Sequence, residues 1–110
     1  MSISRMPPVS KSIGRGRSVE YHLEADPGWD GFDSLIKYLQ KIWQGEVIES
    51  VDEVYSRRWV LRVRGVPVSV YHDSHLGNFF SREDGVSDQS LLEAIERDLF
   101  ARWEGPDPMT

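Results

Sequence analysis

The chain has 110 residues, 13 of them basic and 18 acidic, for a net charge of −5, and it contains no cysteine. That length suits one domain able to bury roughly two thirds of its unfolded surface, and four tryptophans, four tyrosines and four phenylalanines supply core bulk. The missing thiols exclude disulfides, a cysteine nucleophile and cysteine zinc sites. No apolar run approaches the ~20 residues that span a bilayer, Met1 to Arg17 lack the apolar block of a signal peptide, and a cytoplasmic location is expected.

Residues 1–18 hold Arg5, Lys11, Arg15 and Arg17 with no acid, interspersed with Pro7-Pro8 and Gly14-Arg15-Gly16-Arg17. Without a sustained period, they read as a disordered basic tail. The remaining residues carry nine bases against eighteen acids, a net −9. So acidic a body repels phosphate backbones, which disfavours nucleic acid and favours encounter with a basic protein surface. The same charge also serves plain solubility. A single domain is expected over 19–104, with a second disordered tail over 105–110.

Val19, Tyr21 and Leu23 alternate with polar residues and predict a strand, ended by the turn composition of Ala25-Asp26-Pro27-Gly28. A helix follows with Asp30 as its N-cap. Phe32, Leu35, Ile36, Leu39, Ile42 and Trp43 form its apolar stripe, and Gly45 stops it. Glu46 to Tyr55 has two mixed faces, Val47, Glu49, Val51, Glu53 and Tyr55 against Ile48, Ser50, Asp52 and Val54. An edge strand with a bend near Asp52-Glu53 fits that pattern.

The clearest segment is Trp59 to Val70. A two-residue loop at Arg64-Gly65 opposes Val63 to Val66, Leu61 to Val68 and Trp59 to Val70, placing all six on one face; a slip of one residue exposes them all. Arg57, Arg58, Arg62 and Arg64 are expected to form a basic stripe behind that hairpin. Gly77 to Arg82 predicts another strand with Phe79 or Phe80 inward, the pattern leaving both open. Ser87 is the expected cap of a last helix, with Leu91, Leu92, Ile95, Leu99 and Trp103 buried and Glu93–Arg97 as an i,i+4 pair. Two amphipathic helices and a sheet with one apolar face predict an α+β two-layer sandwich. Its antiparallel sheet has four to five strands, both helices lie on one face, and the order is β-α-β-β-β-(β)-α.

His72, Asp73 and His75 are the one cluster with the chemistry for a divalent metal or a general base. A structural metal needs about four ligands, and Asp73-Ser74 is ordinary turn composition. Ser74 beside them makes no hydrolase triad, because triad members meet through the fold and no nucleophile elbow is present. No catalytic residue, metal ligand or cofactor site is therefore assigned. Glu46, Glu49, Asp52 and Glu53 crowd one strand and Asp30 lies near in sequence. As a solvated edge they need no partner, but as a docking face they suit a cationic protein. Trp29, outside the helical stripe, is placed as an interface anchor.

The helix opening Asp30-Gly31-Phe32, then Trp59-Val60-Leu61, Gly65 to Asp73, Leu76-Gly77-Asn78-Phe79-Phe80 and the helix Leu91-Leu92-Glu93-Ala94-Ile95 together resemble small bacterial immunity proteins. Such proteins are encoded beside polymorphic or contact-dependent toxins. The likeness runs from about Asp30 to Trp103. It implies a non-enzymatic cytoplasmic protein that binds a cognate toxin domain and occludes it; the family shares no universal binding motif, so no site residue transfers. The expected contacts are Trp29, Asp30, Glu46, Glu49, Asp52 and Glu53. The competing expectations are a metal-dependent hydrolase or sensor using His72, Asp73 and His75, and a small acidic secretion chaperone.

Overall fold

The computed structural model describes residues 9–13, 19–23 and 29–103, which form β1 (Val9–Ile13), β2 (Val19–Leu23), α1 (Trp29–Ile42), β3 (Glu46–Asp52), β4 (Ser56–Val63), β5 (Val66–Asp73), β6 (Gly77–Arg82) and α2 (Ser90–Trp103). The six strands make one sheet in the order β1-β2-β6-β5-β4-β3, antiparallel at every pairing. α1 carries the chain from β2 to the far edge, and three consecutive hairpins bring it back until β6 pairs with β2. The α+β class is as expected, with one strand more than the four to five predicted.

The hairpin forms in the expected register, Val63 opposite Val66, Leu61 opposite Val68 and Trp59 opposite Val70. Arg64 and Gly65 both take positive φ, 49° and 80°, the two-residue turn whose twist matches that of the strands. Leu61, Val63, Val68 and Val70 join Tyr21, Phe80, Phe32, Leu35, Ile36, Leu39, Trp43, Leu92 and Ile95 in one buried cluster. Both helices therefore cover the same side of the sheet. Each fully buried Leu, Ile or Phe there contributes about 1.5–3 kcal/mol. The two helices are tied by Tyr38, which donates to Asp98 at 2.6 Å and accepts from Trp43 Nε1 at 2.7 Å.

Several local expectations are corrected. Val9–Ile13, assigned to the tail, form an edge strand on β2. Two apolar residues in five make no readable period, and tertiary contacts hold the strand: Val9 is buried in the core and Lys11 reaches Glu93 at 3.1 Å and Glu96 at 3.7 Å on α2. Glu93 is thereby paired with Lys11 rather than Arg97. Residues 1–8, 14–18, 24–28 and 104–110, with the turn expected at Ala25-Asp26-Pro27-Gly28, lie outside the described residues.

α1 begins at Trp29, which puts Asp30 in the first turn rather than at the cap. Ile42, at the margin of the stripe, is exposed. Asp88 rather than Ser87 holds the start of α2, accepting from the backbone N–H of Ser90 at 2.9 Å and from its hydroxyl at 2.5 Å. Phe80 faces the core. Phe79 is on the opposite side yet also buried, stacked between Tyr71 and His22 with both centroids 4.7 Å away. No described helix is long and apolar enough to cross a membrane.

Candidate functional site

Charge on the β3 edge is arranged by cross-strand pairing. Glu46 lies 3.5 Å from Arg62, Glu49 2.9 Å from Arg58 and Asp52 3.4 Å from Arg57. A register shift between Val47 and Glu49 bulges Ile48 out of the ladder, and an extra residue reverses side-chain parity. Val47 therefore packs toward the helices with Ser50 and Asp52, while Glu46, Glu49 and Val51 follow the other face. The four acids predicted to share one docking face are divided between two, and Glu46 and Asp52 stand roughly 20 Å apart along the strand.

The predicted arginine stripe divides in the same way. Arg58 and Arg62 lie on the helix-free face. Arg57, in phase with Trp59, turns under the start of α1: its guanidinium stacks 4.5 Å from the Trp29 ring centroid and reaches Asp33 at 3.1 Å. Its Nε–H is buried and makes no hydrogen bond among the described residues, since Asp52 at 3.4 Å pairs by charge only. Arg64 covers Trp43 at 4.7 Å. On the helix-free face Arg58 donates to Glu49 and, at 2.6 Å, to Glu83, whose other oxygen accepts from Ser69. The Glu49 hydrogen bond is the largest influence keeping Arg58 charged, raising its pKa above the usual arginine value. This chain of contacts folds polar side chains over Ser69 and Val60, which are buried without a helix above them.

Where the β3–β4 and β5–β6 turns meet, the structure opens a cleft of about 380 Å³ lined by Val51, Arg57, Arg58, Tyr71, Phe79 and Leu76, with Glu53, Ser56, His72 and Asp73 completing it. The backbone N–H of Ser74 donates to the Tyr55 carbonyl at 3.1 Å, locking the two turns together. Beside it stand three strongly exposed apolar side chains, Val54 at 79%, Tyr55 at 73% and Leu76 at 63%. Large side chains left in water at adjoining turns form the kind of patch that marks an interaction surface.

Of the residues expected to bind, Trp29, Asp52 and Glu53 lie at this end of the sheet, Trp29 remaining 41% exposed with its ring tilted against that of His72, centroids 4.1 Å apart. Asp30 is exposed in the first turn of α1, Glu49 is at mid-strand and Glu46 at the opposite end. Pattern reading missed Val54, Tyr55 and Leu76. The available signal was apolar residues inside turns, where no core-facing period accounts for them.

His72 and Asp73 fall on opposite faces of β5. His72 is buried, its Nδ1 2.8 Å from the Asn78 Oδ1, so that this nitrogen is the donor. Asp73 accepts from the backbone N–H groups of His75 and Leu76 at 2.7 and 3.0 Å, bonds that hold its carboxyl below the usual range. Each residue thus has a packing or turn role, and among the described residues no group of three or more His, Asp or Glu is placed to hold a metal ion. Comparison with protein-family models, curated proteins and solved structures returns no match.

Proposed function

We propose that this chain is a non-enzymatic binding protein of the immunity class, acting in the cytoplasm by occluding a cognate toxin domain. The observation that carries this reading is the trio Val54, Tyr55 and Leu76, exposed on two interlocked turns at the mouth of the cleft. Desolvating such side chains against a partner supplies affinity through a few anchors. The acids around them, Glu53, Asp52 and Asp73, with the net −9 of residues 19–110, steer a basic surface toward this end. Trp29 and Arg57 form the adjoining rim. Glu46 and Glu49, already matched to arginines, contribute to the field rather than to the anchor.

The test is to read the adjacent gene and, where it encodes a secreted protein, to titrate that protein's C-terminal domain calorimetrically against this chain. A complex is expected, and Tyr55→Ser with Leu76→Ser weakens it by about tenfold or more, whereas Val86→Ser on the distant β6–α2 loop leaves it unchanged. Absence of a complex, or an affinity indifferent to the double substitution, overturns the reading.

A further inference from the structure

β3 ends the sheet, and among the described residues no element lies along its outer side: six of its seven residues are exposed, among them Ile48 and Val51. An edge strand presents unpaired N–H and C=O groups that another strand can satisfy. What that strand must look like follows from the side already occupied. Glu46, Glu49 and Asp52 each meet an arginine of β4, so the acid pattern of β3 is complementary to a basic ribbon. A second copy of β3 is a poor occupant, since Glu46–Asp52 contains three acids and no base and antiparallel self-pairing sets carboxylate against carboxylate. The bulge at Ile48 interrupts the ladder at one end, leaving the regular stretch Glu49–Asp52 to receive a partner. Val51 belongs to both this edge and the cleft wall.

We propose that β3 is a strand-acceptor edge: an extended, arginine- or lysine-rich segment of a protein partner pairs with Glu49–Asp52, continues the sheet and runs past the mouth of the cleft. This deepens the binding reading by naming the partner's contact element. Backbone pairing gives the segment its hold, and its cationic side chains select it against a second copy of this chain.

The experiment uses the full chain, isotopically labelled, with three end-blocked peptides: Arg-Val-Arg-Val-Arg-Val, the same sequence N-methylated at every residue, and Glu-Val-Glu-Val-Glu-Val. The first is expected to bind at about millimolar concentration or below and to slow hydrogen exchange at alternate amides within residues 49–52. The N-methylated peptide keeps its charge but lacks ladder donors, and it and the acidic peptide bind about tenfold more weakly or not at all. Glu49→Gln weakens the cationic peptide in the same direction. Equal binding of the N-methylated peptide, protection confined to other elements, no binding, or protection at 49–52 that rises with protein concentration alone each overturns the proposal. A toxin domain that binds through Tyr55 and Leu76 while the β3 amides stay unprotected rejects the edge and leaves the wider reading intact.

Discussion

Arg57 lies against the indole of Trp29, 4.5 Å from the ring centroid, while the same guanidinium reaches Asp33 on α1 and Asp52 on β3. One side chain of β4 therefore joins the start of the first helix to the sheet edge. Arg57→Ala is expected to lower stability by about 1–2 kcal/mol, combining a half-buried cation–π contact with ion pairs that are individually worth little. Arg57→Lys recovers only part, because an ammonium cannot stack as a planar guanidinium does. Urea unfolding measures both, and the Trp29 indole resonance reports the lost stacking.

Gly45 follows α1 and packs against the hairpin. A β-carbon there would stand 3.1 Å from the Leu39 carbonyl oxygen, 3.2 Å from Leu61 Cδ2 and 3.3 Å from Val63 Cγ2. The Leu39 oxygen is also engaged by the Gly45 N–H at 2.8 Å. Gly45→Ala should then destabilise by about 1–3 kcal/mol through overpacking, against the usual benefit of replacing glycine. A variant at least as stable as the parent in thermal unfolding would show that Leu61 and Val63 yield freely.

Asp52 and Glu49 are neighbours in the acidic strand with different duties. Asp52 accepts from Trp59 Nε1 at 2.8 Å besides pairing with Arg57, whereas Glu49 meets only Arg58 among the described residues. Asp52→Lys should cost about 1–2 kcal/mol, and Glu49→Lys under ~1 kcal/mol. Matched denaturation curves for the two substitutions decide the point; equal losses would mean that the indole bond adds nothing.

Stability at the two pH extremes rests on different residues. Burial first, then Glu93 and Glu96, pushes the Tyr21 phenol up to about 12 from 10.0. The fold favours the protonated phenol, so its stabilisation is fully present below pH 10 and is lost as pH rises toward 12. Tyr21→Phe removes the hydroxyl that donates to Gln89. It should lower stability near neutrality by about 1 kcal/mol while flattening the decline across that alkaline window. The Asp98 carboxyl is held below its usual 3.8, chiefly by the Tyr38 hydroxyl and then by Arg102. Its contribution is present above the unfolded value and disappears as pH falls through the depressed folded one. Asp98→Asn therefore flattens the acid limb of a circular-dichroism titration, and an unaltered limb would count against this assignment.

Legibility in the sequence tracked local repetition. The hairpin register was readable because six apolar residues alternate without a break around Arg64-Gly65, and α1 because Phe32, Leu35, Ile36 and Leu39 recur at helical spacing. Strand β1 was not, since Val9 and Ile13 frame three polar residues and the segment is stabilised by β2 and α2. The mixed faces of the acidic strand mark it as an edge, but the bulge at Ile48 redistributes its side chains: a bulge is a property of a pairing, invisible in one strand alone. The candidate site followed the same division. Trp29, Asp52 and Glu53 stand out in the sequence as candidate contacts, whereas Val54, Tyr55 and Leu76 form a patch only through the Ser74–Tyr55 bond that brings two turns together.

By itself the sequence determined the class of the fold, the hairpin register and the electronegative balance of the body, because each depends on periodicity or on a simple count of charges. Only the tertiary structure decided which strands neighbour one another, which acids receive an arginine, and where apolar side chains remain in water. Those outcomes depend on contacts between residues far apart in the chain, and no local pattern encodes how distant segments meet.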